Sequence, residues 1–131
     1  MIVLSRGEEV IAALTKYCDE HGIHAAAFHA IGSVDRVKIG YYDLKKREYF
    51  FTEESGEFEV ASMNGNVALV EGRPFIHAHA VLTACDEGGR VLGAHVKEAH
   101  VAVTLEVFLI ALDISLSREY DEEVGLKLLK I

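Results

Sequence analysis

Apolar residues change their spacing once along this chain, and the change divides it into a helical start and a long stretch of strands. Met1 to Leu4 is a short apolar run that reads as a strand. Val10, Leu14, Tyr17, Cys18 and His21 then recur at the i, i+4, i+7, i+8, i+11 spacing of one helical face, with Glu9, Lys16, Asp19 and Glu20 elsewhere. Ser5 and Glu8 stand in the S-x-x-E spacing by which a hydroxyl and a carboxylate satisfy orphan amides at a helix start. The helix is therefore expected to begin near Gly7 and to stop at Gly22. From Ile23 onward short runs rich in Val, Ile, Tyr and Phe alternate with Gly, Asp and Asn, which is the pattern of an antiparallel sheet. Strands are expected at about 24–31, 34–44, 47–52, 57–61, 64–71, 75–84, 90–95 and 100–113. Asn64-Gly65-Asn66 and Asp86 to Gly89 read as turns, and Pro74, the only proline, opens a strand where its missing N–H costs least. The last segment, Ser117 to Ile131, fits a short strand or a helix equally well. The expected fold is thus α/β of the α+β type, a mainly antiparallel sheet with one N-terminal helix packed on it.

Composition narrows the class. The chain has 131 residues, 50% of them hydrophobic and 26% charged, as in one globular domain with a sizeable core. Residues 1–131 are read as a single domain, with a core over about 3–113 and an extension over 114–131. The formal net charge is -8, and the seven histidines, fully protonated, would not reverse it. Direct DNA binding is disfavoured, because a duplex would meet net repulsion. Arg36, Lys38, Lys45, Lys46 and Arg47 could form a local basic patch, or simply a solvated turn between strands. Cys18 and Cys85 form no CxxC pair, so neither a disulfide framework nor a thiolate zinc site is indicated and a cytoplasmic location is expected. The apolar run before Arg6 is too short for a signal peptide, and Thr104 and Glu106 interrupt the longest apolar stretch, so no membrane association is expected.

Candidate chemistry concentrates between Arg73 and His95. A strand has a side-chain period of two, so His77 and His79 project from one face, roughly 7 Å apart by strand rise. With a hairpin loop centred near Glu87, His79 and His95 stand opposite one another, their Cβ atoms about 5 Å apart. Three imidazoles then share a patch, the donor set of a divalent transition metal, zinc foremost, with a coordination position left open. The same spacing also suits histidines that fill a half-buried face or meet another subunit. His21, His24, His29 and His100 are scattered and are assigned surface or core-edge roles, although His29 beside Ile31-Gly32 could face the same pocket. Glu106 interrupts an apolar strand, where a carboxylate needs a partner. It is read either as an acceptor for the second ring nitrogen of a ligating histidine or as an edge carboxylate facing water. Glu59 alternates normally with apolar neighbours and reads as solvent-facing.

Several blocks together resemble a known family. Gly7-Glu-Glu-Val-Ile-Ala-Ala-Leu14, Ala30-Ile-Gly-Ser-Val34, Ile39-Gly-Tyr-Tyr-Asp43, Phe58-Glu-Val60, Asn64-Gly-Asn-Val67, His77-x-His79, Val91-Leu-Gly-Ala-His95 and Thr104-Leu-Glu106 occur in the order seen in the plants-and-prokaryotes conserved (PPC) domain. The resemblance implies a compact antiparallel sheet with one helix, assembled as a homotrimer, and in prokaryotic members a metal site at His77, His79 and His95. Ala94 stands where the family usually carries a second glycine. Plant members join this domain to an Arg-Gly-Arg-Pro hook for the minor groove. Here Gly72-Arg-Pro74 follows Glu71 inside the domain, so the DNA-binding label of the family is not expected to describe direct contact.

Three function classes follow. The first is a trimeric metal-binding domain of regulatory or partner-binding role, with a partner or a small anion completing the metal's shell; the second is a metal-dependent hydrolase or lyase of undefined substrate; the third is a regulatory or DNA-associated module that works through protein partners. No G-x-S-x-G, P-loop, Rossmann glycine pattern or HExxH is present, so nucleophile-elbow hydrolysis, nucleotide binding through those loops and zincin chemistry lose support. The apolar length of Val101 to Leu112 exceeds what one helix can cover, which favours the trimer on physical grounds as well.

Overall fold

A computed structural model describes residues 1–130. Strand β1 (Ile2–Ser5) leads into helix α1 (Val10–Glu20), and four long strands follow: β2 (Ala26–Asp43), β3 (Glu48–Val70), β4 (Arg73–Ala84) and β5 (Val91–Ala111). A terminal hairpin, β6 (Ser117–Asp121) and β7 (Leu126–Lys130), completes the chain. The undecided C-terminal segment is therefore a strand pair up to Lys130.

The sheet closes on itself. β2 pairs with β3, β3 with β4, β4 with β5, and β5 returns antiparallel to β2. β1 adds to the far edge of β5, and β6 joins β3 through a single parallel bridge, Leu69 to Ser117. One face of the ring is the core. On β4 the alternation is complete: Pro74, Ile76, Ala78, Ala80, Leu82 and Ala84 are buried, and the residues between them point outward. Helix α1 seals the core against β4 and β5 with Val10, Leu14 and Cys18, all fully buried.

Several expected strand ends are bulges inside longer strands. The expected break at residues 32–33 lies within β2, where the register slips beside Gly32 and again between Val34 and Arg36. Such bulges bend a strand without ending it, which lets 18- and 23-residue strands wrap around one core. The Asn64-Gly65-Asn66 turn is likewise corrected: these residues lie mid-strand in β3, paired to His79, Ala78 and His77. Glycine is needed there for close approach, since a Cβ on Gly65 would run into the Phe28 ring and the His77 carbonyl.

The helix start is also shifted. Glu8 does reach back to accept from the Ser5 amide at 2.6 Å, but the helix begins at Val10 with Glu9 as its cap. The Glu9 carboxylate accepts from the amides of Ile11 and Ala12 and, across the core edge, from Ala99. Gly22 ends the helix as expected, at φ +63°.

Candidate metal centre

His77 and His79 leave β4 on its outer face because the intervening Ala78 turns into the core. His95 comes from β5 and lies directly opposite His79 in the ladder. The turn that sets this register is held by the Asp86 carboxylate, which accepts from the amides of Gly88 and Gly89. The three rings form a triangle, with centroids 5.1 Å apart for His77–His79, 5.1 Å for His77–His95 and 5.4 Å for His79–His95. One ring nitrogen from each lies within 4.8 Å of the other two.

His77 and His95 are half-buried and His79 is exposed. Burial, helped by Arg118 and the neighbouring imidazoles, pushes His77 down to about 4. His95 is lowered too, first by burial and then by His79 and Arg118. Both rings are therefore neutral near pH 7, the state in which imidazole donates a lone pair. The Nδ1 of His95 is buried without any hydrogen-bond partner. Three clustered imidazoles, one with an orphaned ring nitrogen, match the donor set that Zn2+ and related divalent ions take.

The C-terminal hairpin supplies a residue that sequence spacing did not reveal. Arg118, on β6, donates from Nη2 to Asn66 Oδ1 at 2.9 Å and to His77 Nδ1 at 3.1 Å. Arginine only donates, so His77 accepts at Nδ1 and carries its proton on Nε2 in the metal-free protein. Beside this contact lies a cavity of about 290 Å3, walled by Tyr49, Phe75, His95, Leu126 and Leu128. Forty-one residues separate Arg118 from His77, and only the fold of the terminal hairpin joins them.

The other candidates are placed elsewhere. Glu106 is exposed on β5, eleven residues from His95, opposite Val3 and Ile31. Within one chain it cannot orient these imidazoles, and the water-facing alternative describes its position. His29 stacks on Phe108 at 4.9 Å and is separated from His79 by Asn64 on the strand between them. His21 stacks on Tyr17, and its Nδ1 lies 2.8 Å from the Tyr17 carbonyl at the helix end. Glu59 is exposed, as expected. Three of the five candidate basic residues are engaged locally: Lys38 pairs with Glu53 at 2.6 Å, Arg47 donates to the Glu123 carbonyl, and Lys46 lies over the Phe50 ring. No helix among the described residues is long and apolar enough to cross a membrane.

Residues 1–113 match the Plants and Prokaryotes Conserved (PCC) domain. Among solved structures, a metal-containing protein from Archaeoglobus fulgidus superposes with a TM-score of 0.91 at 36% identity, covering 99% of this chain and 91% of that one. A plant- and prokaryote-conserved protein from Pyrococcus horikoshii gives 0.90 at 34% identity, with 99% and 89% covered. A "putative DNA-binding protein" from Ralstonia eutropha JMP134 gives 0.90 at 27% identity, with the same 99% and 89% coverage. No protein with a curated description matches the chain.

Proposed function

The chain belongs to the Plants and Prokaryotes Conserved (PCC) domain family, and we propose that it is a homotrimeric metal-binding module, working through a protein partner in the cytoplasm. His77, His79 and His95 hold a divalent transition metal, zinc by preference. The observation that carries this reading is the convergence of three imidazole nitrogens within 4.8 Å from two adjacent strands. The likeness to a metal-containing protein at 36% identity supports it independently.

Trimer formation is supported by an apolar outer surface that nothing in the single chain covers. Val103 is 72% exposed, Ile110 63%, Val3 57% and Ile31 50%, on strands β1, β2 and β5, and exposed large apolar residues gathered on neighbouring strands are the composition of a contact face. Direct DNA binding is disfavoured by the net charge of -8 and by the dispersed, partly paired basic residues.

A metal-dependent hydrolase or lyase is the second reading. It is favoured by the cavity against His77 and His95, since three protein ligands leave a position at which zinc acts as a Lewis acid. The two readings separate when purified protein is stripped with chelator, reloaded with zinc and assayed on ester, phosphoester and lyase substrates. Zinc uptake without turnover supports the binding module; turnover that is lost on stripping and regained on reloading contradicts it in favour of the enzyme.

A further inference from the structure

We propose that the cavity lined by Arg118, His77 and His95 binds a small carboxylate with an apolar body. The inference rests on the metal reading of the histidine cluster and adds the ligand that the site would take. It starts from an unbalanced charge. Arg118 has three partners, the Asn66 amide oxygen, His77 Nδ1 and the Lys127 carbonyl, and all three are neutral. None of the ion pairs among the described residues includes it, and its Nε is buried with no partner at all. A half-buried guanidinium without a counter-charge is costly, which makes an anion the natural complement of this pocket.

Metal binding sharpens that need, because Arg118 and a metal compete for the same ring. If His77 gives the lone pair on Nδ1 to a metal, Arg118 loses its acceptor. If it gives Nε2 instead, the ring proton must move to Nδ1, where it faces a guanidinium donor. Either way the 3.1 Å contact cannot survive, and a guanidinium is left with unfilled donors beside a second positive charge. A carboxylate resolves both, since its two oxygens match the edge of a guanidinium fork and its charge offsets the pair of cations.

The rest of the ligand is set by the walls. Tyr49, Phe75, Leu126 and Leu128 line the cavity, and Arg118 lies over the Phe75 ring at 5.6 Å. Lys127, the other cation at the cavity, is tied to Glu71 at 2.7 Å. A volume of about 290 Å3 limits the ligand to a small organic acid. Arg118, Leu126 and Leu128 lie beyond the residues that match the family, so the C-terminal hairpin supplies the carboxylate-binding cation and part of the apolar wall.

Cobalt(II)-loaded protein provides the test, with benzoate and inorganic phosphate as probes and the visible spectrum together with calorimetry as readouts. The loaded wild type is expected to bind benzoate, to change its cobalt spectrum on doing so, and to prefer benzoate to phosphate. Arg118→Gln is expected to take up cobalt at least as tightly, because a competitor for His77 is gone, and to bind benzoate about tenfold or more weakly. Equal benzoate affinity in Arg118→Gln, no benzoate binding by the loaded wild type, or tighter binding of phosphate would each overturn the proposal while leaving the metal site intact. Failure of the wild type to take up cobalt would instead overturn the metal reading, and this inference with it.

Discussion

His79 and His95 face one another directly across the β4–β5 ladder, their ring centroids 5.4 Å apart. This pairing joins two strands that the turn at Asp86 to Gly89 connects, so the geometry of the histidine site is fixed by hairpin register. A slip of one residue would turn His95 toward the core and dissolve the triangle.

The inner support of the site is Gly65. Gly65→Ala would press a methyl group against the Phe28 ring and the His77 carbonyl. Stability is expected to fall by about 1–3 kcal/mol, the usual cost of overpacking, with a weaker metal site because the β3–β4 pairing at His77 must shift. Denaturant unfolding and metal titration of the variant check both effects.

Glu9 ties the helix to the sheet through three amides, those of Ile11, Ala12 and Ala99. Glu9→Ala should cost about 1–2 kcal/mol, the range of a lost helix cap, and Glu9→Gln should recover part of it. Urea midpoints for the two variants measure this directly.

The two cysteines should differ in reactivity. Cys85 is exposed, whereas Cys18 is fully buried under α1 and burial pushes its thiol up. A thiol reagent is expected to modify one group per native chain, at Cys85, and two after unfolding. Rapid modification of Cys18 in the native protein would show that α1 is not packed as described.

Self-association is expected to depend on the apolar outer face. The wild type should run at about three chain masses by light scattering, and Val103→Glu, at a position 72% exposed in the single chain, should shift it toward the monomer. An unchanged mass in Val103→Glu would move the contact face elsewhere.

Much of this architecture was legible in the sequence. The period-two spacing of His77 and His79 and the glycine-rich loop before His95 sufficed to place three imidazoles together, because side-chain alternation and hairpin register are local properties. The helix face was readable for the same reason, from Val10, Leu14 and Cys18. The closure of β5 onto β2 was not, and neither were the bulges that merge short apparent strands into long ones. These depend on pairing between residues such as Val34 and Val101, far apart in the chain. Asn64-Gly65-Asn66 misled because glycine serves turns and close backbone approaches alike. Glu106 drew attention as a carboxylate among apolar residues, yet its neighbours Val3 and Ile31 are themselves exposed, so no burial demands a partner for it. Arg118 carried no signal in sequence, since only tertiary folding brings it to His77.

The central claim is tested most directly by the metal content of untagged protein, measured by mass spectrometry after reloading with zinc and desalting. The wild type should carry close to one metal per chain, and the His77→Ala, His79→Ala double variant close to none while retaining the wild-type circular dichroism spectrum. A wild type that carries no metal after reloading, or a folded double variant that carries as much as the wild type, would contradict the assignment of His77, His79 and His95 as a metal centre.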